Sequence, residues 1–271
     1  MSNGSNAKQL ALSLFQNAIY PEGLTSSNAW LGVYQVLLWY ESVNLEDIKA
    51  LPHIIDADKL RPPSYRPSKT GLSAWQKRAV AVTKYLAQQF DCQPDEVQDF
   101  VDLLMKTPFY QGMQRQNPLG IAFPVLICNI LETLGNKKVK YDLEVPAQSV
   151  FPGIIVPGRS ANPRIDIVVS NQNHIKAIIS CKWSLRHDRL NDISNECPSY
   201  KNAANITRTK IDYLVITNEF DPARLSKLLG DSCVDALIHV HRTLPIDVCG
   251  FNSRLVKMLD LIDLIVRSHT W

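Results

Sequence analysis

Four polar residues in the second half of the sequence have the side chains that phosphodiester hydrolysis needs. They are Asp166, Ser180, Lys182 and Glu196. Carboxylate oxygens suit Mg²⁺, which prefers hard oxygen ligands and keeps several waters. A lysine beside the ion stabilises the attacking hydroxide or the phosphate. The residue types therefore predict a metal-dependent hydrolytic site in which Asp166 and Glu196 are the metal ligands.

A β-hairpin and the helix after it would position these groups. Asp166 lies on a predicted strand at 165–170, and Ser180 and Lys182 lie two residues apart, hence on one face, near the end of a second strand at 174–182. Glu196 follows Lys182 by fourteen residues, on or near the next helix. Strand ends also carry Asp and Lys simply for solubility, so the Asp–Lys pair alone is a weak indication of a nuclease.

The segment after Lys182 carries side chains suited to reading G·C base pairs. Arg186, Asp188 and Arg189 stand at the start of the predicted helix. Arginine donates two hydrogen bonds to guanine O6 and N7 in the major groove, and aspartate accepts one from cytosine N4. The other interpretation is a solvated helix start with an internal ion pair. The spacing to Lys182 and Glu196 favours the DNA-reading interpretation.

Taken together, these motifs resemble those of the CCGG-family type II restriction endonucleases, which belong to the PD-(D/E)XK nuclease superfamily. The resemblance lies in Ser180-x-Lys182, Arg186-x-Asp188-Arg189 and Glu196, and covers roughly residues 162–200. It implies an α/β fold with a mixed central sheet flanked by helices. It also implies Mg²⁺-dependent cleavage of both strands of double-stranded DNA at a palindrome containing CCGG, by a homodimer or a tetramer.

The sequence departs from the family pattern on the helix before the sheet. The family often places a Glu there after Gly-x-x-Phe, but Gly120-Ile121-Ala122-Phe123 is followed by Pro124. Glu132, two turns later, is a candidate substitute, or an ordinary solvated helix residue. The family also uses a glutamine near this point in the minor groove, which suggests Gln114 or Gln116.

The periodicity of apolar residues predicts a helical first half and a mixed second half. Helices are predicted at 7–20, 28–41, 72–90, 93–105 and 119–134. Strands follow at 139–145, 150–156, 165–170, 174–182, 211–217 and 236–240, with helices at 189–204, 222–229 and 253–266. We therefore expect a helical N-terminal region at 1–135 packed on a catalytic core at 136–271, as one continuous structural unit.

Composition excludes several other classes of protein. The 271 residues contain no apolar run of about 18, so no membrane span is expected. The N-terminus lacks a basic stretch followed by an apolar one, which predicts no secretory signal. The six cysteines are scattered without a C-x-x-C pair, so we expect no zinc site and reduced thiols in the cytoplasm. The net charge of +3 permits a nucleic-acid partner without requiring one.

Two alternative functions remain open at the level of sequence. Another PD-(D/E)XK DNA nuclease, from repair or a mobile element, would use Asp166 and Lys182 but would not need the Arg186-x-Asp188-Arg189 segment. A catalytically inactive DNA-binding protein would account for the missing carboxylate at Pro124.

Overall fold

The described parts of the first half of the protein are mainly helical. The computed structural model describes residues 3–19, 22–36, 69–98, 101, 118–172, 174–185 and 187–271. The helices of this part are α1 (Asn3–Ala18), α2 (29–36), α3 (Lys69–Phe90), α4 (94–98) and α5 (Pro118–Leu134). They agree with the predicted helices. The predicted continuations of α2 over 37–41 and of α4 over 99–105 lie outside the described residues, residue 101 excepted.

A six-stranded mixed sheet forms the centre of the second half, in the order β1-β2-β3-β4-β5-β6. The first three strands are antiparallel and the last four are parallel. This confirms the predicted mixed sheet flanked by helices. The elements are β1 (Lys140–Pro146), α6 (Ala147–Val150), β2 (Arg164–Asn171), β3 (His174–Lys182), α7 (His187–Ile206), β4 (Asp212–Thr217), α8 (Pro222–Leu229), β5 (Ala236–His239), β6 (Leu259–Asp260) and α9 (Leu261–Ser268).

Both faces of the sheet are covered, so the central strands read as continuous apolar runs. On β4, Leu214 and Ile216 belong to a core shared with α1, α3 and α5. Tyr213 and Val215 belong to a second core, shared with α7 and α8. Successive residues of a strand point to opposite faces. The N-terminal helices therefore cover one face, and α7 covers the other.

The strand predicted at 150–156 is wrong. The chain forms α6 and then turns, with Gly153 at φ +79°. The Gln148 side chain accepts from the Gly153 N–H and donates to the Ile154 carbonyl. These backbone groups therefore find partners without a neighbouring strand, although the apolar composition of the segment is typical of one.

The closing helix predicted at 253–266 is wrong in its first half. A short 3₁₀ helix, Ser253–Lys257, precedes β6, and only then does α9 begin. Asp260 ends the strand and caps α9 in a capping box with Asp263. This reciprocal cap satisfies the first N–H groups of the helix and so fixes its start.

The prediction that all cysteines are reduced is also wrong, because Cys197 and Cys233 form a disulfide. Cys197 lies on α7, and Cys233 lies in the connection between α8 and β5. Their Cα atoms are 6.1 Å apart, within the range that a disulfide spans. The other four cysteines are free. Within the described part of the chain, no helix has both the length and the apolar character needed to cross a bilayer.

Candidate active site

Asp166 lies where β2 and β3 stop pairing with each other. Their ladder runs from Asn171–His174 to Ile167–Ile179. Just beyond it, Asp166 Oδ2 accepts a hydrogen bond from the Cys181 N–H at 2.8 Å and one from Lys182 Nζ at 2.6 Å. The carboxylate thus accepts from a backbone N–H at the point where the β2–β3 ladder has ended. It also fixes the lysine at the end of β3.

Ser180 and Lys182 lie on the face of the sheet that α7 covers. Ile178 of β3 belongs to the α7 core, and Ser180 and Lys182 follow it at the two-residue period of a strand. The Ser180 hydroxyl is buried beside the Tyr213 phenol, but its geometry completes no hydrogen bond. A buried polar atom without a protein partner needs an explanation, such as a bound water, an ion or a catalytic role.

Glu196 reaches the same place from α7, with only 4% of its surface exposed. The Tyr213 hydroxyl donates to Oε2 at 3.1 Å. Arg159 Nε lies 3.1 Å from Oε1, but the two groups are not aligned as a hydrogen bond requires, so the contact is an ion pair only. Burial raises the pKa of Glu196, although the charges of Lys182 and Arg159 act in the opposite direction.

The charge of Lys182 depends on its two acidic neighbours. Burial lowers the pKa of the ammonium, but the charges of Asp166 and Glu196 and the hydrogen bond that the ammonium donates to Asp166 outweigh it, so the pKa is raised overall. The side chain is 10% exposed and remains protonated at neutral pH. It can stabilise negative charge, and it is not a proton acceptor there.

The donors in this cluster fit a magnesium ion better than a transition metal. Mg²⁺ is held through one or two carboxylates, with waters and phosphate oxygens completing its shell. Asp166 and Glu196 supply two carboxylates, and Glu196 Oε1 has no hydrogen-bond donor. No group of three or more His, Cys, Asp and Glu side chains suited to a metal occurs among the described residues.

The residues predicted to read DNA are only partly described. Asp188 is exposed in the first turn of α7, and Arg189 Nη1 lies 3.3 Å from Asp192 Oδ2. Helix α7 starts five residues after Lys182, so a short connection joins the two predicted functions. Arg186, Gln114 and Gln116 lie outside the described residues.

The structure does not bring Glu132 into the cluster. Glu132 is exposed on α5, and the buried side chains of α5 belong to the core on the face opposite α7. Pro124, which occupies the family's acidic position, lies inside the same helix. Nothing in this arrangement supports Glu132 as a catalytic residue.

Three residues of the site carried no recognised signal in the sequence: Arg159, Asp192 and Tyr213. Arg159 Nη1 lies 2.8 Å from Asp192 Oδ2 as well as contacting Glu196. Asp192 and Glu196 are four residues apart, which places both carboxylates on one face of α7. That spacing could have identified Asp192. Arg159 comes from the loop before β2, and only the tertiary fold brings it near.

No protein-family model and no curated protein matches the sequence. Among solved structures, the chain is similar to one described as metal-depleted Ecl18kI in complex with uncleaved, modified DNA. The TM-score is 0.45 and the identity 13%, over 97% of this chain and 77% of that chain. A likeness at this level carries no argument about function, so the proposal below depends on the side chains.

Proposed function

We propose that the chain is a type II restriction endonuclease that hydrolyses both strands of double-stranded DNA at a palindrome containing CCGG, with Mg²⁺ as cofactor. One observation carries the proposal. Glu196 is buried and Asp166 and Lys182 are partly buried in one cluster at the end of β3, and the chain leads from it directly to the start of α7, where Asp188 and Arg189 lie.

Asp166 and Glu196 are the residues that would hold the magnesium ion. When bound, the ion would stabilise charge that develops on the phosphate and lower the pKa of a bound water. Lys182, held by Asp166 at 2.6 Å, would stabilise the attacking hydroxide or a phosphate oxygen. Ser180 occupies the position that is acidic elsewhere in the superfamily, and its buried hydroxyl adds a polar oxygen to the site.

Sequence reading is assigned to the start of α7. Arg186 and Arg189 would donate to guanines, and Asp188 would accept from a cytosine amine. Asp188 would also repel the acceptor edge of a guanine, which adds discrimination by exclusion. Gln114 or Gln116 would contact the minor groove. The chemistry of these side chains and their family-like spacing from Lys182 support this assignment.

The proposed partner is double-stranded DNA bound by a homodimer, with a tetramer as the larger alternative. A palindrome has two equivalent half-sites, and a two-fold dimer presents one reading surface to each. Sedimentation of the complex with a duplex that carries one site is expected to give at least two chains per duplex. One chain per duplex would contradict this part of the proposal.

A digest of phage DNA with Mg²⁺ tests the function. Discrete fragments are expected, and their ends give the site. A smear would instead indicate a general PD-(D/E)XK nuclease of repair or a mobile element. DNA that is intact but shifted in a gel would indicate a DNA-binding protein without catalysis, for which Pro124 in the family's acidic position is the supporting observation.

A further inference from the structure

One arginine bridges two carboxylates of α7: Asp192, close to the proposed base-reading residues at the start of the helix, and the buried Glu196 of the site. Arg159 Nη1 lies 2.8 Å from Asp192 Oδ2, and its Nε lies 3.1 Å from Glu196 Oε1. Both acceptors are on the same face of α7. A planar guanidinium has several donors in a fixed fork, so a single side chain spans the two carboxylates.

The same oxygen of Asp192 also faces Arg189. Arg189 Nη1 lies 3.3 Å from Asp192 Oδ2. The contacts therefore form an unbroken series from Arg189 through Asp192 and Arg159 to Glu196. It begins at a side chain that is 39% exposed and ends at one that is 6% exposed, so it leads from the DNA-facing surface into the site.

We infer that Arg159 is a positioning residue that couples sequence reading by Arg189 to the availability of Glu196 for a divalent cation. The inference rests on the proposed function, because it takes Arg189 as a base contact and Glu196 as a metal ligand. It adds a residue outside the family motifs and a reason why cleavage would wait for the correct sequence.

The coupling follows from the shared carboxylate. When Arg189 turns to a guanine, Asp192 loses one of its two cationic partners and its charge acts on Arg159 alone. Arg159 Nη1 is already 2.8 Å from Asp192 Oδ2, so the response is a rotation: the guanidinium turns a second N–H to Asp192, and Nε moves away from Glu196. Because Tyr213 already holds Glu196 Oε2, the atom that becomes available to a cation is Oε1.

In the free protein, the same contacts work against metal binding. The Arg159 guanidinium lies beside Glu196 Oε1, and its positive charge repels a dication there. A cation bound at Glu196 would in turn push Arg159 toward Asp192 and weaken the hold of Asp192 on Arg189. Coupling between two binding sites is reciprocal, so metal and the correct sequence each strengthen the binding of the other.

The affinity for Ca²⁺, which takes oxygen ligands as Mg²⁺ does, measures this coupling without relying on cleavage. Calorimetry would compare the whole protein with a duplex that it cuts in the digest and with a scrambled duplex of equal length. Phosphate oxygens are available to the cation in both complexes. The ratio of the two Ca²⁺ affinities therefore isolates the effect of sequence reading, and a gel checks that the duplexes stay intact.

In the wild type, we expect the cognate duplex to give about tenfold tighter Ca²⁺ binding than the scrambled one, within the usual range of coupling between sites. Asp192→Asn and Arg159→Gln should each bring the ratio close to one, and the double variant should be no lower. Arg159→Gln should also bind Ca²⁺ more tightly without DNA. Arg267→Gln, which removes a similar ion pair with Asp212 at the far end of β4, should keep the wild-type ratio.

Retention of the wild-type ratio in either single variant would overturn the inference, as would a wild type that cuts DNA but shows no sequence-dependent ratio. A purely structural role would lower thermal stability and weaken both complexes equally, which also overturns it. If Arg159→Gln fails to fold, Arg159→Lys keeps the charge but cannot span both carboxylates, and it should give the same loss of coupling. A protein that neither binds nor cuts any duplex overturns the proposed function itself, so the digest separates the two failures.

Discussion

Lys182 keeps its positive charge with the help of its acidic neighbours. The lysine is buried and keeps a raised pKa because Asp166 and Glu196 outweigh the effect of burial. We expect Asp166→Ala and Lys182→Ala each to abolish DNA cleavage and to leave specific binding largely intact, because the site supplies the rate and base contacts supply the specificity. Cleavage of plasmid DNA and gel-shift titration measure the two properties.

A second Lys–Asp pair provides the control for these variants. Lys140 Nζ lies 2.5 Å from Asp142 Oδ1, but Lys140 is 74% exposed. An exposed ion pair contributes little to the stability of a protein. Lys140→Ala should therefore cut DNA as the wild type does. Wild-type cleavage by Asp166→Ala or Lys182→Ala would show that the site lies elsewhere.

Arg189 tests the assignment of base reading. Arg189→Lys keeps the positive charge but loses the planar donor fork. Specific binding should weaken by about 1–3 kcal/mol, the value of one bidentate base contact. The salt dependence should change little, because it reports contacts to phosphates. Competition binding against cognate and scrambled duplexes makes the measurement, and equal losses on both would identify Arg189 as a phosphate contact.

At the scale of residues, the two-residue period of a strand predicted where the polar groups lie, but it did not predict which side chains surround them. The two-residue period of a strand put Ser180 and Lys182 on one face, and the structure has both on the face that α7 covers. Arg159 could not be predicted, because its approach depends on the path of the loop at 151–163 across α7. Tyr213 looked like an ordinary residue of a buried strand.

A buried carboxylate organises the connection between β3 and α7. Glu219 Oε2 accepts from the Leu185 N–H at 2.7 Å, and Oε1 accepts from the Phe220 and Asp221 N–H groups at 2.9 Å. Arg224 contacts the same carboxylate. Leu185 directly precedes Arg186, so Glu219 holds the backbone that leads into the proposed base-reading residues at 186–189.

Replacement of this carboxylate should destabilise the connection. In Glu219→Gln, one acceptor oxygen becomes a donor that faces other donors. Burial raises the pKa of Glu219, but four donors converge on its two oxygens, so loss of an acceptor should outweigh relief of the buried charge. We expect the free energy of unfolding to fall by about 1–3 kcal/mol, measured in urea. Discrimination between cognate and scrambled duplexes should fall as well.

Glu96 offers the matched control for Glu219. Its side chain accepts from the backbone N–H of Gln93 at an exposed helix start. Glu96→Gln should change stability far less than Glu219→Gln and should leave discrimination unchanged. Equal effects of the two substitutions would show that Glu219 has no special role in the connection.

At the scale of elements, prediction succeeded where the spacing of apolar residues agreed with the turn and capping residues at the ends of the element. The hairpin β2–β3 and helix α8, with Pro222 at its start, match their predicted ranges closely. The strand predicted at 150–156 does not form, because the Gln148 side chain makes the backbone hydrogen bonds that a neighbouring strand would otherwise make. The disulfide could not be predicted, because Cys197 and Cys233 are 36 residues apart and meet only after α7 packs on the sheet.

At the scale of the molecule, an aromatic cluster joins the N-terminal helices to the sheet. His241, just after β5, stacks on Trp30 of α2 with ring centroids 3.7 Å apart. Its Nε2 lies 2.9 Å from the hydroxyl of Tyr85 on α3. The predicted division at residue 135 therefore separates parts that share one core, in which α1 and α5 pack on the same face of the sheet.

This junction should make the protein sensitive to acid. Burial lowers the pKa of His241 from 6.5 to about 4, and burial together with the charge of His241 lowers the pKa of His239 to about 3. Below about pH 6.5 the unfolded chain binds protons that the folded chain does not, so stability falls as the pH falls toward 4. Above about pH 6.5 the two histidines are neutral in both states, so they cause no loss of stability there.

The variant His241→Phe should reduce this sensitivity. The phenyl ring can still stack on Trp30, while loss of the contact with Tyr85 should cost about 1 kcal/mol at neutral pH. Urea unfolding at about pH 7.5 and about pH 5 should then show a smaller fall than in the wild type. Part of the fall should remain, because His239 is still buried. His269→Gln, at the exposed end of α9, should behave as the wild type does. A fall in His241→Phe as large as in the wild type would mean that protonation of His241 does not govern the junction.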